Sequence, residues 1–153
     1  MTPHNAAASR PSSKAARELQ RPLRLVVADD DLDTVLTLMM VLRDEGHEVR
    51  GVHAPAQVLN VINQFDPDAV FLDIGMPGLS GWELARRIRE RLARRPMLIG
   101  ISGQYRDGAD RILAQIVGFD HYVLKPYDTP ALLELLEPLK LQALSAALGE
   151  KRL

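Results

Sequence analysis

The chain has 153 residues, is 46% hydrophobic and 25% charged, and contains 10 Gly and 10 Pro. That length suits one domain with a substantial core and is short for two. The longest unbroken apolar run is Leu38 to Leu42, which excludes a membrane-spanning helix; the absence of cysteine excludes disulfide scaffolds, thiolate zinc sites and cysteine nucleophiles. The net charge of -1 supplies no global attraction to nucleic acid or membrane.

The predicted elements run in chain order as follows. Residues 1–22 are rich in Ala, Ser, Pro and Arg, and Arg10, Lys14, Arg17 and Arg21 against Glu18 give them a net charge of +3. They lack apolar periodicity and an apolar signal core, so they read as a disordered tail. Leu23 to Ala28 is a buried-type strand. From Asp31 to Glu45, Val35, Leu38, Met39 and Leu42 keep helical spacing, and Gly46 stops the helix. Glu48 to His53 is a second strand, and Pro55 to Gln64 a second helix carrying Val58, Leu59 and Ile62. Ala69 to Leu72 is a third strand. Ser80 and Glu83 have capping-box spacing and open a helix through Ala93. Met97 to Ile101 is a fourth strand, Arg106 to Val117 a helix ended by Gly118, and His121 to Leu124 a fifth strand. Thr129-Pro130 starts the last helix, with Pro at its first position. Pro138 kinks the chain away from that helix, and Leu139, Leu141, Leu144 and Leu148 extend an apolar register beyond it.

Strict alternation of short apolar strands with helices predicts an α/β fold, a parallel sheet covered on both faces. In such sheets ligands bind beyond the carboxyl ends of the strands, where strand order switches. Asp29, Asp30 and Asp31 follow strand one, Asp73 follows strand three, Ser102 and Gly103 follow strand four, and Lys125 and Pro126 follow strand five. Converging carboxylates repel one another unless a cation joins them. Oxygen donors without nearby imidazole or thiolate point to Mg²⁺. An ammonium and a hydroxyl opposite are what a phosphoryl group needs. Each residue alone is as well explained by a helix cap or a loop start; their joint placement at four strand ends carries the argument.

The segments Val26-Val27-Ala28-Asp29-Asp30-Asp31, Asp73-Ile74-Gly75-Met76-Pro77-Gly78-Leu79-Ser80-Gly81, Ile101-Ser102-Gly103 and Tyr122-Val123-Leu124-Lys125-Pro126 occur in that order. Together they resemble the receiver domain of two-component response regulators, over about residues 23–140. The resemblance implies a doubly wound (βα)5 flavodoxin-like sandwich with parallel strand order 2-1-3-4-5. It implies Asp73 as phosphoacceptor, taking a phosphoryl group from a histidine kinase or a histidine phosphotransfer protein. Asp29, Asp30, Asp73 and the Gly75 carbonyl would hold Mg²⁺, Ser102 and Lys125 would bind phosphoryl oxygens, and Ser102 with Tyr122 would form the switch. A cis bond is implied at Lys125–Pro126. Gly75 and Gln104 fill positions that vary in the family and affect how long the phosphoryl group lasts.

Other features call for ordinary explanations. Arg86, Arg87, Arg89, Arg91, Arg94 and Arg95 read as a solvated helix face spaced by Glu83 and Glu90. His47, His53 and His121 lack ligand spacing. Trp82 and Tyr105 read as packing and loop aromatics. The expectation is therefore a receiver standing alone in the cytoplasm, with residues 141–153 as a helical extension. Such a chain catalyses only its own phosphorylation and dephosphorylation. Its partners would be a kinase or phosphotransfer protein, and a protein or second copy reading the face of the fourth helix, fifth strand and fifth helix. Neither nucleic acid nor membrane insertion is expected. One rival is a haloacid-dehalogenase-like phosphohydrolase built on Asp31-Leu32-Asp33-Thr34-Val35, although Asp31 lies two positions past the strand end. The other is a receiver-shaped binding module that is never phosphorylated.

Overall fold

A computed structural model describes residues 21–78, 80–91, 96–103 and 108–150. Its sheet has five parallel strands in the order β2-β1-β3-β4-β5. These are β1 (Arg24–Ala28), β2 (Glu48–Val52), β3 (Ala69–Asp73), β4 (Met97–Ser102) and β5 (His121–Leu124). The helices are α1 (Leu32–Asp44), α2 (Val58–Phe65), α3 (Gly81–Arg91), α4 (Gly108–Val117), α5 (Thr129–Glu134) and α6 (Glu137–Glu150). The expected flavodoxin-like architecture and strand order are observed. The order reverses between β1 and β3, which places the crevice at their carboxyl ends.

The strands are apolar throughout because both faces of the sheet are covered. Successive residues of β1 point to opposite sides, so Val26 joins one core and Leu25 and Val27 join the other. The first core takes Val58 and Ile62 from α2, Leu84 and Ile88 from α3 and Ala114 from α4. The second takes Leu38 and Leu42 from α1, Leu132 from α5 and Leu136. Full burial of one such leucine is worth about 1.5–3 kcal/mol, so the cores rather than helix propensity hold these short elements in place.

Several boundaries differ from the sequence expectation. Most of the expected tail lies outside the described residues, but Arg21 is tied into the fold, with its guanidinium 3.1 Å from Asp68 Oδ1. The other oxygen of Asp68 accepts the Arg24 amide at 2.8 Å, so Asp68 clamps the start of β1. The second helix opens with a 3-10 turn at Pro55–Gln57 before α2. Asp128 is the N-cap residue of α5, which puts Thr129 first and Pro130 second in the helix. The break before α6 falls at Leu135 and Leu136, upstream of Pro138. Its cause is still Pro138, whose ring cannot tolerate the helical carbonyl four residues back, at Glu134, where α5 ends.

Ser80 caps α3 as expected, accepting the Glu83 amide at 3.3 Å. The Glu83 carboxylate is taken by Arg86 at 2.6 Å and Arg87 at 3.1 Å, and Arg86 also reaches Glu90 at 3.2 Å. These pairs fit the solvated-face reading. Arg89 departs from it: its guanidinium donates to the carbonyls of Gly118 and Pro96 and sits 2.8 Å from Asp120. It fastens α3 to the turn before β5. The side chains of Arg91, Arg94 and Arg95, with Gln104 and Tyr105, lie outside the described residues.

Candidate functional site

The strand ends bring the expected residues together. Asp29 extends the β1 ladder, its amide donating to Val52 O at 3.1 Å. β2 thus contributes backbone to the site, though it offers no charged side chain there. Ile74, just after Asp73, donates to Ile101 O at 2.9 Å, and the Lys125 amide donates to Ser102 O at 2.8 Å. Each polar residue is therefore held by a continuation of the sheet itself, which is more rigid than a loop.

Asp29, Asp30 and Asp73 each place a carboxylate oxygen within 4.8 Å of the others. Asp29 and Asp73 are buried and Asp30 is exposed. One oxygen of Asp29 accepts the Asp31 amide at 2.9 Å, and the other accepts from Lys125 Nζ at 3.0 Å. One oxygen of Asp73 accepts the Gly75 amide at 2.9 Å, while its second oxygen lies 3.9 Å from Lys125 Nζ. Ser102 is buried at the end of β4, and Lys125–Pro126 is cis. Tyr122 is half-buried on β5, its ring stacked on Trp82 with centroids 6.4 Å apart.

The electrostatics follow from crowding and burial. Burial pushes the Asp73 carboxyl up to about 6, the Gly75 amide opposes this, and the charge of Asp29 adds to it. Burial opposes the charge on Lys125, but its hydrogen bond to Asp29 and the two carboxylates outweigh that and raise its pKa. A buried carboxylate this reluctant to ionise, beside two others, is a donor set that fits a hard divalent cation.

Asp31, the residue on which the phosphohydrolase rival depends, is not in this cluster. Its carboxylate caps α1, accepting the Asp33 amide at 3.1 Å and the Thr34 hydroxyl at 2.9 Å. Among the residues to which the sequence assigned no role, Gly81 is the clearest. A Cβ there would lie 2.5 Å from Ile74 Cα and 2.8 Å from Asp73 O, so the start of α3 presses directly on the backbone of Asp73 and Ile74. The glycine in the Asp-x-x-Met-Pro-x-x-x-Gly segment was the available signal, but spacing alone does not reveal a contact eight residues back.

Comparisons with known proteins agree with this geometry. The family model for the response regulator receiver domain matches residues 25–137. The chain belongs to that family. It is 30% identical over 110 residues to the aerobic respiration control protein ArcA of Escherichia coli K12, covering 72% of this chain and 44% of ArcA. It is 32% identical over 104 residues to the DNA-binding response regulator MtrA of Mycolicibacterium paratuberculosis, covering 68% of this chain and 45% of MtrA. The chain thus spans less than half the length of these curated relatives. Among solved structures, a receiver domain from Bermanella marisrubri superposes with a TM-score of 0.70 at 30% identity, over 78% of this chain and 98% of that one. The BeF3-activated receiver domain of Klebsiella pneumoniae RstA gives 0.69 at 25% identity, over 77% and 97%.

Residues 25–137 form a receiver domain of the two-component response regulators, a class of signalling module that binds Mg²⁺ at an acidic pocket. No helix among the described residues is long and apolar enough to cross a membrane.

Proposed function

We propose that Asp73 accepts a phosphoryl group from a histidine of a partner kinase or phosphotransfer protein and that this changes the protein's binding surface. The observation that carries the reading is the convergence of Asp29, Asp30, Asp73 and Lys125 at the strand-order switch. In the transfer, an Asp73 carboxylate oxygen forms the new bond to phosphorus, the phosphorus–nitrogen bond breaks, and the electron pair leaves with the imidazole. Asp29, Asp30, Asp73 and the Gly75 carbonyl would hold Mg²⁺. When bound, the ion supplies positive charge that lets a carboxylate approach an anionic phosphoryl group. Lys125 turns from Asp29 toward a phosphoryl oxygen and Ser102 donates its hydroxyl to another, so positioning and charge do the work without a general base.

The exposed face of α1 favours a helical donor. Leu32, Leu36 and Met40 are 48%, 49% and 68% exposed and recur every fourth residue, forming a stripe that begins beside Asp30. On the output side, Ile112 and Ile116 of α4 are 61% and 75% exposed. They favour a protein or second copy docking on the face of α4, β5 and α5. That relatives such as MtrA are DNA-binding gives the expected absence of a nucleic-acid partner no support. The lack of cysteine is consistent with a cytoplasmic setting.

The deciding experiment is incubation with acetyl phosphate and Mg²⁺ followed by intact-mass measurement. Wild type gains one phosphoryl group and Asp73→Asn gains none. Equal labelling of the two sinks the acceptor assignment. No labelling of wild type, from acetyl phosphate or from kinase, favours the binding-module rival.

A further inference from the structure

We infer that Trp82 is a positioning residue for Tyr122, linking the acceptor loop to β5 through the start of α3. The inference rests on the reading of Asp73 as acceptor and Tyr122 as switch. It adds a second route between them, separate from Ser102.

The link is a chain of contacts without slack. Gly81 donates its amide to Ile74 O at 3.2 Å, and a Cβ on Gly81 would meet the backbone of both Ile74 and Asp73. The first turn of α3 therefore cannot shift without the residue that follows the acceptor. Trp82 is the next residue. Its indole lies nearly parallel to the Tyr122 ring, at 16° and 6.4 Å between centroids, and meets the Phe119 ring edge-on at 84° and 5.7 Å. Three aromatic rings meet here because β4 has a glycine beneath them. Gly100 is the register partner of Tyr122, and a Cβ on it would sit 2.9 Å from Ile74 Cδ1 and 3.1 Å from the Phe119 ring. Ile74 thus contributes its backbone to the seat of α3 and its side chain to the floor of the aromatic cluster.

The consequence is a coupling. A phosphoryl group on Asp73 perturbs the Asp73–Ile74 step, and that step is where Gly81 is seated. Any movement of Gly81 carries Trp82 with it and alters the stack. The stack therefore belongs to one of the two states of the switch, and removing it shifts the balance between them. A stacked aromatic pair of this kind corresponds to a change of about 2- to 10-fold in an equilibrium constant.

Trp82 is the single tryptophan of the chain, so its emission reports this contact without labelling. The test uses the full chain with Mg²⁺ and beryllofluoride, the phosphoryl stand-in carried by activated relatives such as RstA. Loading is read independently by fluorine NMR. Wild type should show an emission change that saturates with loading, and Tyr122→Leu should load without that change. Trp82→Leu should bind beryllofluoride with an affinity about 2- to 10-fold different from wild type, and Trp82→Phe, which keeps a ring in the stack, should restore wild-type affinity. Loading of wild type with no change in emission overturns the inference while leaving the acceptor reading intact. Unchanged affinity in Trp82→Leu does the same. Failure of wild type to load, with Asp73→Asn behaving identically, removes the acceptor reading and this inference with it.

Discussion

Lys125 places its ammonium 3.0 Å from Asp29 and 3.9 Å from the second oxygen of Asp73, so the lysine is engaged by one buried carboxylate and lies beside the other. Without a phosphoryl group it neutralises one of two buried acids. Lys125→Ala should therefore destabilise the metal-free protein by about 1–3 kcal/mol, the usual cost of leaving a buried charged partner unsatisfied. Some labelling of Asp73 should survive, but amide exchange around Tyr122 should no longer respond to beryllofluoride. A normal exchange response in the variant would show that the switch does not depend on this lysine.

Asp30 is the exposed member of the acidic trio and has the most direct access to solvent ions. Asp30→Asn should weaken Mg²⁺ binding by about 1–4 kcal/mol, the Coulomb range for one charge at ligand distance near a protein surface. Calorimetric titration measures this. Unchanged affinity in both Asp29→Asn and Asp30→Asn would move the metal site elsewhere.

The Asp73 carboxyl, pushed up to about 6 by burial and then by Asp29, binds its proton more tightly in the folded chain than in the unfolded one. Its contribution to stability is complete below the ordinary carboxyl range and is lost as pH rises through about 6. In metal-free buffer Asp73→Asn should thus be more stable than wild type above that pH, by about 1–3 kcal/mol, with the gap closing toward pH ~4. Saturating Mg²⁺ should narrow the gap. Urea midpoints at a series of pH values provide the check.

Gly81→Ala adds a methyl group against the backbone of Ile74 and Asp73, where neither can yield as a flexible side chain could. The expected loss is about 1–3 kcal/mol of stability, typical of overpacking, together with slower labelling of Asp73. Gly149, whose Cβ would meet nothing, is the control: Gly149→Ala, in a helix that favours Ala over Gly, should neither lower stability nor slow labelling.

His47 is held below its ordinary pKa by burial and by Lys140, against the weaker pull of Glu45, Asp68 and Glu137. Its Nδ1 accepts the Leu23 amide at 3.3 Å, which requires the neutral ring. The unfolded chain takes up this proton more readily, so stability falls as pH drops below about 6.5. His47→Gln should flatten that part of the profile. An equal loss between pH ~7 and ~5 in both proteins would remove His47 as its source.

Five strands and the residues at their ends were legible in the sequence because a doubly wound fold repeats one local rule, whereas the strand order was implied only by the resemblance to receiver domains. Apolar runs buried on both faces alternate with helices, and function collects where strands stop, as at Asp29, Asp73, Ser102 and Lys125. Pro138 likewise announced a break, although the hinge fell at Leu135 because the clash is with Glu134, four residues back. What the sequence could not decide depends on distance between residues far apart in the chain. Nothing local pairs Arg21 with Asp68, lays Arg89 across the carbonyl of Gly118, or stacks Trp82 on Tyr122. Asp29 and Asp31 both follow one strand, and their spacing past its end does not say which carboxylate meets Lys125. Only the fold separates them, turning the first into the crevice against Lys125 and spending the second on the cap of α1, because α1 begins where the crevice ends.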